Sequence, residues 1–173
     1  AVSVAGEVVL VGEEPERKVD LRIVADRARL SVLGAFWRGV LQADGELNAD
    51  IRLTGSASVL EADGSLSIRE GRIDVPSLNR GLTKVSMEAE VTSSSLNITR
   101  FEGFGDPGYL KVFGGLEINP VNLDRLFENP LFGDMEFLLT ATALPAMGTK
   151  DINAVVDGTV HLTGTIDGPV LTG

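Results

Sequence analysis

Apolar and polar residues alternate along most of the chain. Val19, Leu21, Ile23 and Ala25 are interleaved with Asp20, Arg22, Val24 and Asp26. Leu47, Ala49, Ile51 and Leu53 alternate with Asn48, Asp50, Arg52 and Thr54, and Leu66 and Ile68 with Ser65, Ser67 and Arg69. Val85, Met87, Ala89 and Val91 continue the pattern, followed by Leu110, Val112, Gly114, Leu116 and Ile118. Met135, Phe137, Leu139 and Ala141 form a further set, and Val156, Gly158, Val160 and Leu162 the last. A period of two sends successive side chains to opposite faces of a strand. Each segment therefore predicts a strand with one apolar and one wet face. Such strands belong to antiparallel sheets, because strands buried on both faces read as continuous apolar runs.

Turn chemistry separates the segments. Glu13-Glu14-Pro15-Glu16 predicts a charged turn, Asn79-Arg80-Gly81 and Ser93-Ser94-Ser95 further breaks, and Asp44-Gly45 and Asp63-Gly64 tight reversals or strand starts. At Asp26-Arg27 the apolar register moves from Ala25 to Ala28, Leu30 and Val32, which marks a turn or a bulge. The one helix candidate is Pro120 to Glu128, with Asn119 as cap, Leu123, Leu126 and Phe127 on one face, and Pro130 as its stop. Ala143 to Asp151, with Pro145, Gly148 and Lys150, reads as a long loop. Gly followed by apolar residues two and four positions on recurs at Gly6, Gly45, Gly64, Gly71, Gly114 and Gly158, at irregular intervals. Strict solenoids and propellers need a fixed period, so the repeat describes one strand type reused in a meandering sheet.

At 173 residues the chain is one β-rich domain over 1–173. It starts at Ala1 rather than Met and reads as a piece of a longer protein. A net charge of −10 argues against nucleic acid as a partner, since such binders concentrate Lys and Arg on one face. The absence of Cys excludes disulfides and thiolate chemistry, and no metal site or cofactor is expected. No apolar run approaches the ~18 residues of a membrane-spanning helix.

Candidate chemistry is sparse. Gly103-Phe104-Gly105-Asp106-Pro107-Gly108 has the letters of a dinucleotide fingerprint, but Tyr109 to Ile118 alternates as a strand where a helix would be needed, so the segment reads as a loop. Glu88 and Glu90 share a face with Lys84, Ser86 and Thr92, which makes that face a wet one. His161, between Val160 and Leu162, points to the polar side. Asn97-Ile98-Thr99 is a glycosylation sequon that has meaning only on a eukaryotic secretory route. With no nucleophile elbow, phosphate loop or calcium loop, the chain is not expected to be an enzyme.

What remains is the apolar face. Roughly ten strands at ~4.8 Å each span about 48 Å, more than one short helix covers. Such a sheet folds into a sandwich, closes as a barrel, or curls into an open trough. With one Trp and one Tyr, its lining is aliphatic, which suits acyl chains, though an ordinary two-sheet core would use the same residues. The expected lining is Leu47, Ile51, Leu53, Leu66, Ile68, Val85, Met87, Val91, Leu110, Val112, Leu116, Phe137, Leu139, Val160 and Leu162, with Arg52, Arg69, Glu88 and Glu90 outside.

The phrases Leu47-Asn48-Ala49-Asp50-Ile51-Arg52-Leu53-Thr54-Gly55 and Asp63-Gly64-Ser65-Leu66-Ser67-Ile68-Arg69-Glu70-Gly71-Arg72-Ile73-Asp74-Val75-Pro76 are strung in sequence, followed by Gly108-Tyr109-Leu110-Lys111-Val112-Phe113-Gly114 and the closing run from Val156 to Pro169. Together they resemble the C-terminal region of the TamB family, the AsmA-like translocation and assembly module proteins of the Gram-negative envelope. The likeness covers nearly the whole chain, and it is a style of strand repetition rather than a catalytic signature. It implies a long curled antiparallel sheet, a β-taco, with a hydrophobic groove along its inside. It also implies a periplasmic location within an inner-membrane-anchored protein, an outer-membrane barrel partner of the TamA or BamA type, and bridge-like transport of phospholipid. Two rivals stand beside it: a scaffold that assists outer-membrane barrel assembly by strand pairing, and a structural β-domain with a closed core.

Overall fold

The computed structural model describes residues 2–8, 18–31, 42–56, 59–74, 81–119, 132–148, 153–166 and 168–173. Ten strands follow one another: β1 (Val2–Val8), β2 (Lys18–Arg29), β3 (Gln42–Ser56), β4 (Leu60–Asp74), β5 (Leu82–Val91), β6 (Ser95–Phe104), β7 (Tyr109–Ile118), β8 (Phe132–Gly148), β9 (Asn153–Thr165) and β10 (Pro169–Thr172). They form one sheet in chain order, every neighbouring pair antiparallel. Where the connection is short, as at 57–59, 92–94 and 105–108, an antiparallel partner is reached through a tight turn. The Ser56 N–H donates to the Val59 carbonyl at 2.9 Å, the Thr92 N–H to Ser95 at 2.8 Å, and the Gly105 N–H to Gly108 at 2.9 Å. Among the described residues no second layer packs on the sheet, and β1 and β10 are its open edges. The sandwich and the closed barrel are thereby set aside.

Three sequence expectations need correction. Asp44-Gly45 and Asp63-Gly64 are not reversals or strand starts; they lie inside β3 and β4. Gly64, at φ 155°, is pressed between its neighbours, and a Cβ there would stand 2.7 Å from the Ile51 Cα. The glycine is required by close strand approach rather than by a turn. The expected loop from Ala143 is instead strand as far as Gly148, paired with β9 from Leu144↔Val156 to Gly148↔Asn153. Its pairing with β7 has already ended at Thr142, so Pro145 sits where one side of β8 is an edge, and proline is tolerated there. The helix expected at Pro120–Glu128 and the turn at Glu13–Glu16 lie outside the described residues. The bulge at Asp26-Arg27 is present: both residues oppose Asn48, whose Oδ1 accepts the Arg27 N–H at 3.0 Å.

The sheet curls weakly. Leu82 and Val85 of β5 and Leu144 of β8 make one buried cluster, with Ile73, Phe101, Leu110 and Ala141 against it. In a flat sheet β5 and β8 would stand three spacings, roughly 14 Å, apart. Their union in one cluster draws the apolar side together at the end carrying the Gly105–Gly108 turn. A second cluster joins Ala25, Ala28, Leu30, Leu47 and Ile68 on β2 to β4, including the residue just past β2.

Candidate functional site

Register builds the apolar face row by row. Ala28, Leu47, Ile68, Met87, Phe101, Val112, Leu139 and Val160 are successive cross-strand partners from β2 to β9. A parallel row runs Ala25, Ala49, Leu66, Ala89, Ile98, Gly114, Phe137, Leu162 and on to Leu171 of β10. A third runs Ile23, Ile51, Gly64, Val91, Leu96, Leu116 and Met135. Directly opposed residues share a face, so these rows form a continuous apolar surface. None of their members carries an oxygen or nitrogen in its side chain.

Of the residues expected to line a groove, all but Leu53, Val85 and Leu110 fall in these rows; Leu53 opposes Leu21 and Ala62, Val85 opposes Gly71, and Leu110 opposes Gly103 and Ala141, and none of the expected residues is exposed. Arg52, Arg69, Glu88, Glu90 and His161 are exposed, as their opposite parity requires. The rows also bring in Leu96, Ile98 and Phe101 of β6, absent from the expected lining, and a buried cluster adds Leu144 of β8. Sequence periodicity lost β6 because the spacing of Ile98 and Phe101 breaks the period of two. A register shift between these two residues restores the face. The signal was therefore present, as two apolar alternations offset by one residue.

Cover over the face is uneven. From β2 to β5 it is partly packed: Leu47, Ile68, Val85, Ala89 and Val91 are buried, with Val85 at 0% exposure, while Ile23, Ile51, Leu53, Leu66 and Met87 are half-buried. Gly71 and Gly103 flank Val85, and any Cβ on either would press on its side chain. From β6 to β9 the inward residues Leu96, Ile98, Phe101, Leu110, Val112, Leu116, Phe137, Leu139, Val160 and Leu162 are all half-buried. Phe132 and Ile166 are exposed at the end carrying the Thr92–Ser95 turn. The buried apolar residues are thus concentrated on the earlier strands, and among the described residues Leu144 is the only one of them on a later strand.

The opposite face is held by charge. Arg22 donates to both oxygens of Asp50 at 2.8 and 2.6 Å, and Arg52 to both oxygens of Asp20 at 3.0 and 2.7 Å. The two arginines are direct cross-strand partners, and each is neutralised diagonally by an aspartate of the other strand. Hydrogen bonding from Arg52 holds the Asp20 carboxyl below its ordinary range, and Arg22 does the same for Asp50. A depression of about 910 Å³ lies on this face over β6 to β9, bordered by Asn97, Phe113, Glu117, Asp134, Glu136, Leu138 and His161. Among the described residues no three His, Asp or Glu gather as a metal site. Gly103 and Phe104 end β6 and Gly105–Gly108 turn directly into β7, so a strand and not a helix N-terminus follows the glycines.

No family model, no curated protein and no solved structure matches the chain.

Proposed function

We propose that the chain is a lipid-carrying segment of a TamB-like envelope protein, whose apolar face holds phospholipid acyl chains while their headgroups remain in water. The observation that carries this reading is the unbroken set of apolar rows from β2 to β9, left half-open on β6 to β9. Burial of each methylene contributes about 0.8 kcal/mol, so a whole chain is held firmly while no single position dominates. A lining without polar anchors favours sliding, which a conduit between inner and outer membranes requires. In this reading the segment works in the periplasm, and an outer-membrane barrel protein of the TamA or BamA type is met through the full-length protein. The net charge of −10 suits an exterior that avoids anionic lipid surfaces. The test is uptake of a fluorescent fatty acid by delipidated protein, together with mass spectrometry of lipid carried through purification. Saturable uptake with broad headgroup tolerance is expected, and a delipidated protein that takes up no acyl probe overturns the reading.

A scaffold for outer-membrane barrel strands is the second reading, favoured by the bare edge of β9. β10 pairs with Gly164 to His161 only, while Val155, Val156, Asp157, Gly158 and Thr159 are exposed. Such an edge offers unpaired backbone groups to an incoming strand. Protection of the β9 amides from hydrogen exchange by an unfolded barrel protein, and not by lipid, selects this reading over the first.

A further inference from the structure

The polar face changes character along the sheet. Between β2 and β3 it is closed by the Arg22–Asp50 and Arg52–Asp20 pairs. On β7 and β8 it carries Phe113, 45% exposed, directly opposite half-buried Leu138. This apolar pair borders the depression of about 910 Å³, a volume within the ~300–1,000 Å³ of ligand sites.

Gly115 leaves a gap in the depression. Asn97 opposes it from β6 and Glu136 from β8, while Phe113 and Glu117 stand two residues away along its own strand. Directly opposed residues and residues two apart share a face, so four side chains ring a position that has none. The amide of Asn97 is turned toward the gap. Its Nδ2 donates to Ser95 Oγ at 2.9 Å, and a Cβ on Gly115 would collide with its Oδ1. Thr163 faces Glu136 from β9, and His161 lies beyond Leu138 in the Phe113 row. Among the described residues Glu136, His161 and Thr163 make no side-chain hydrogen bond or ion pair. None of the described residues that line the depression is a Lys or Arg.

These groups narrow the chemistry of an occupant. Glu117 and Glu136 are diagonal neighbours, roughly 7–8 Å apart, and the acidic groups do not gather as a metal site. Spread acceptors suit spread donors, such as the hydroxyls around a sugar ring, and a hydroxyl bonded to a carboxylate is charge-assisted. The exposed ring of Phe113 offers an apolar plate to the C–H face of such a ring. A lining without Lys or Arg disfavours phosphorylated or acidic ligands. We infer that the depression around Gly115 binds a neutral oligosaccharide, one ring stacked on Phe113 with its hydroxyls donating to Asn97 Oδ1, Glu117 and Glu136. The site lies on the face opposite the apolar rows, and the inference does not depend on the acyl-chain reading.

The test follows amide chemical shifts of isotope-labelled protein titrated with maltotriose, cellotriose and chitotriose. Saturable shifts centred on Asn97, Gly115 and Thr163 are expected with at least one of them. For that sugar, Phe113→Ala is expected to weaken binding about two- to tenfold. Phe104→Ala, at a phenylalanine 40% exposed and outside the depression, is expected to leave it unchanged. Glu136→Gln, which keeps an acceptor but loses the charge, is expected to weaken binding as well and serves alone should Phe113→Ala not fold. Absence of saturable shifts with all three sugars overturns the inference. So does a sugar whose binding is indifferent to both the Phe113 and the Glu136 changes, or equally reduced by Phe104→Ala. Saturable binding of butylammonium at these amides, with no sugar binding, assigns the depression to an amphipathic cation and overturns the inference.

Discussion

Gly64 and Ala143 show opposite uses of the backbone. A side chain at Gly64 would enter the Asp50–Ile51 backbone of the next strand, so Gly64→Ala is expected to lower stability by more than about 1 kcal/mol. Ala143 stands at φ 48°, where its N–H donates to Asp157 Oδ1 at 2.8 Å and holds the bulge opposite that residue. A non-glycine residue pays about 1–2 kcal/mol for that conformation. Ala143→Gly removes this strain but loosens the unfolded chain by about 0.4–1 kcal/mol. The expected result is a net gain between zero and about 1.5 kcal/mol, read from the denaturant midpoint at constant slope. Leu144, one residue on, is the link that draws β8 toward β5. Leu144→Ala is expected to cost about 2–5 kcal/mol, whereas Leu171→Ala, at a site 67% exposed, changes stability by no more than ~0.5 kcal/mol. A small loss at Leu144 would mean that its cluster with Leu82 and Val85 is not packed.

Strands were the most legible elements, because period two survives wherever one face is apolar and the other wet. Val85 to Val91 and Leu110 to Leu116 needed only their alternation. What alternation could not convey was how elements are interrupted or extended. Asp63-Gly64 has turn chemistry, yet the glycine is used for strand proximity. Ala143 to Gly148 has loop composition, yet β9 offers a partner for it. The buried cluster of Leu82, Val85 and Leu144 depends on curl, which joins residues far apart in sequence and leaves no local signal. The ion pairs were equally hidden, since Arg22 meets Asp50 only once β2 and β3 are in register. They carry a pH prediction. Asp20 and Asp50 are held below their ordinary range, so their contribution is complete above the usual carboxylate pKa near 4 and is lost as pH falls through the depressed folded values. Melting temperature should therefore fall below about pH 4. The Asp20→Asn, Asp50→Asn double variant should show a weaker fall there, and wild type should approach it at high salt because the pairs are exposed. An unchanged acid profile in the double variant would remove the pairs from the account.

At the scale of the whole molecule, a single ten-stranded sheet has to stabilise itself without a second layer among its described residues. Its strands contribute unequally. β2 to β5 supply most of the packed core, and β6 to β9 leave an apolar surface that water alone would cover poorly. This division makes the same chemical insult act differently in the two places. Val85→Asp puts an unpaired carboxylate in a fully shielded site, at a cost of several kcal/mol against a total stability of only ~5–15 kcal/mol. Leu139→Asp puts it on the half-buried face, where water reaches it. The most direct measurement is a thermal melt combined with acyl-probe binding on Val85→Asp and Leu139→Asp, beside Thr159→Asp on the exposed polar side as control. The account predicts that Val85→Asp unfolds, that Leu139→Asp melts cooperatively but no longer binds the probe, and that the control does both as wild type does. Unfolding of Leu139→Asp together with Val85→Asp, with the control intact, would contradict it and make the apolar face a closed core throughout.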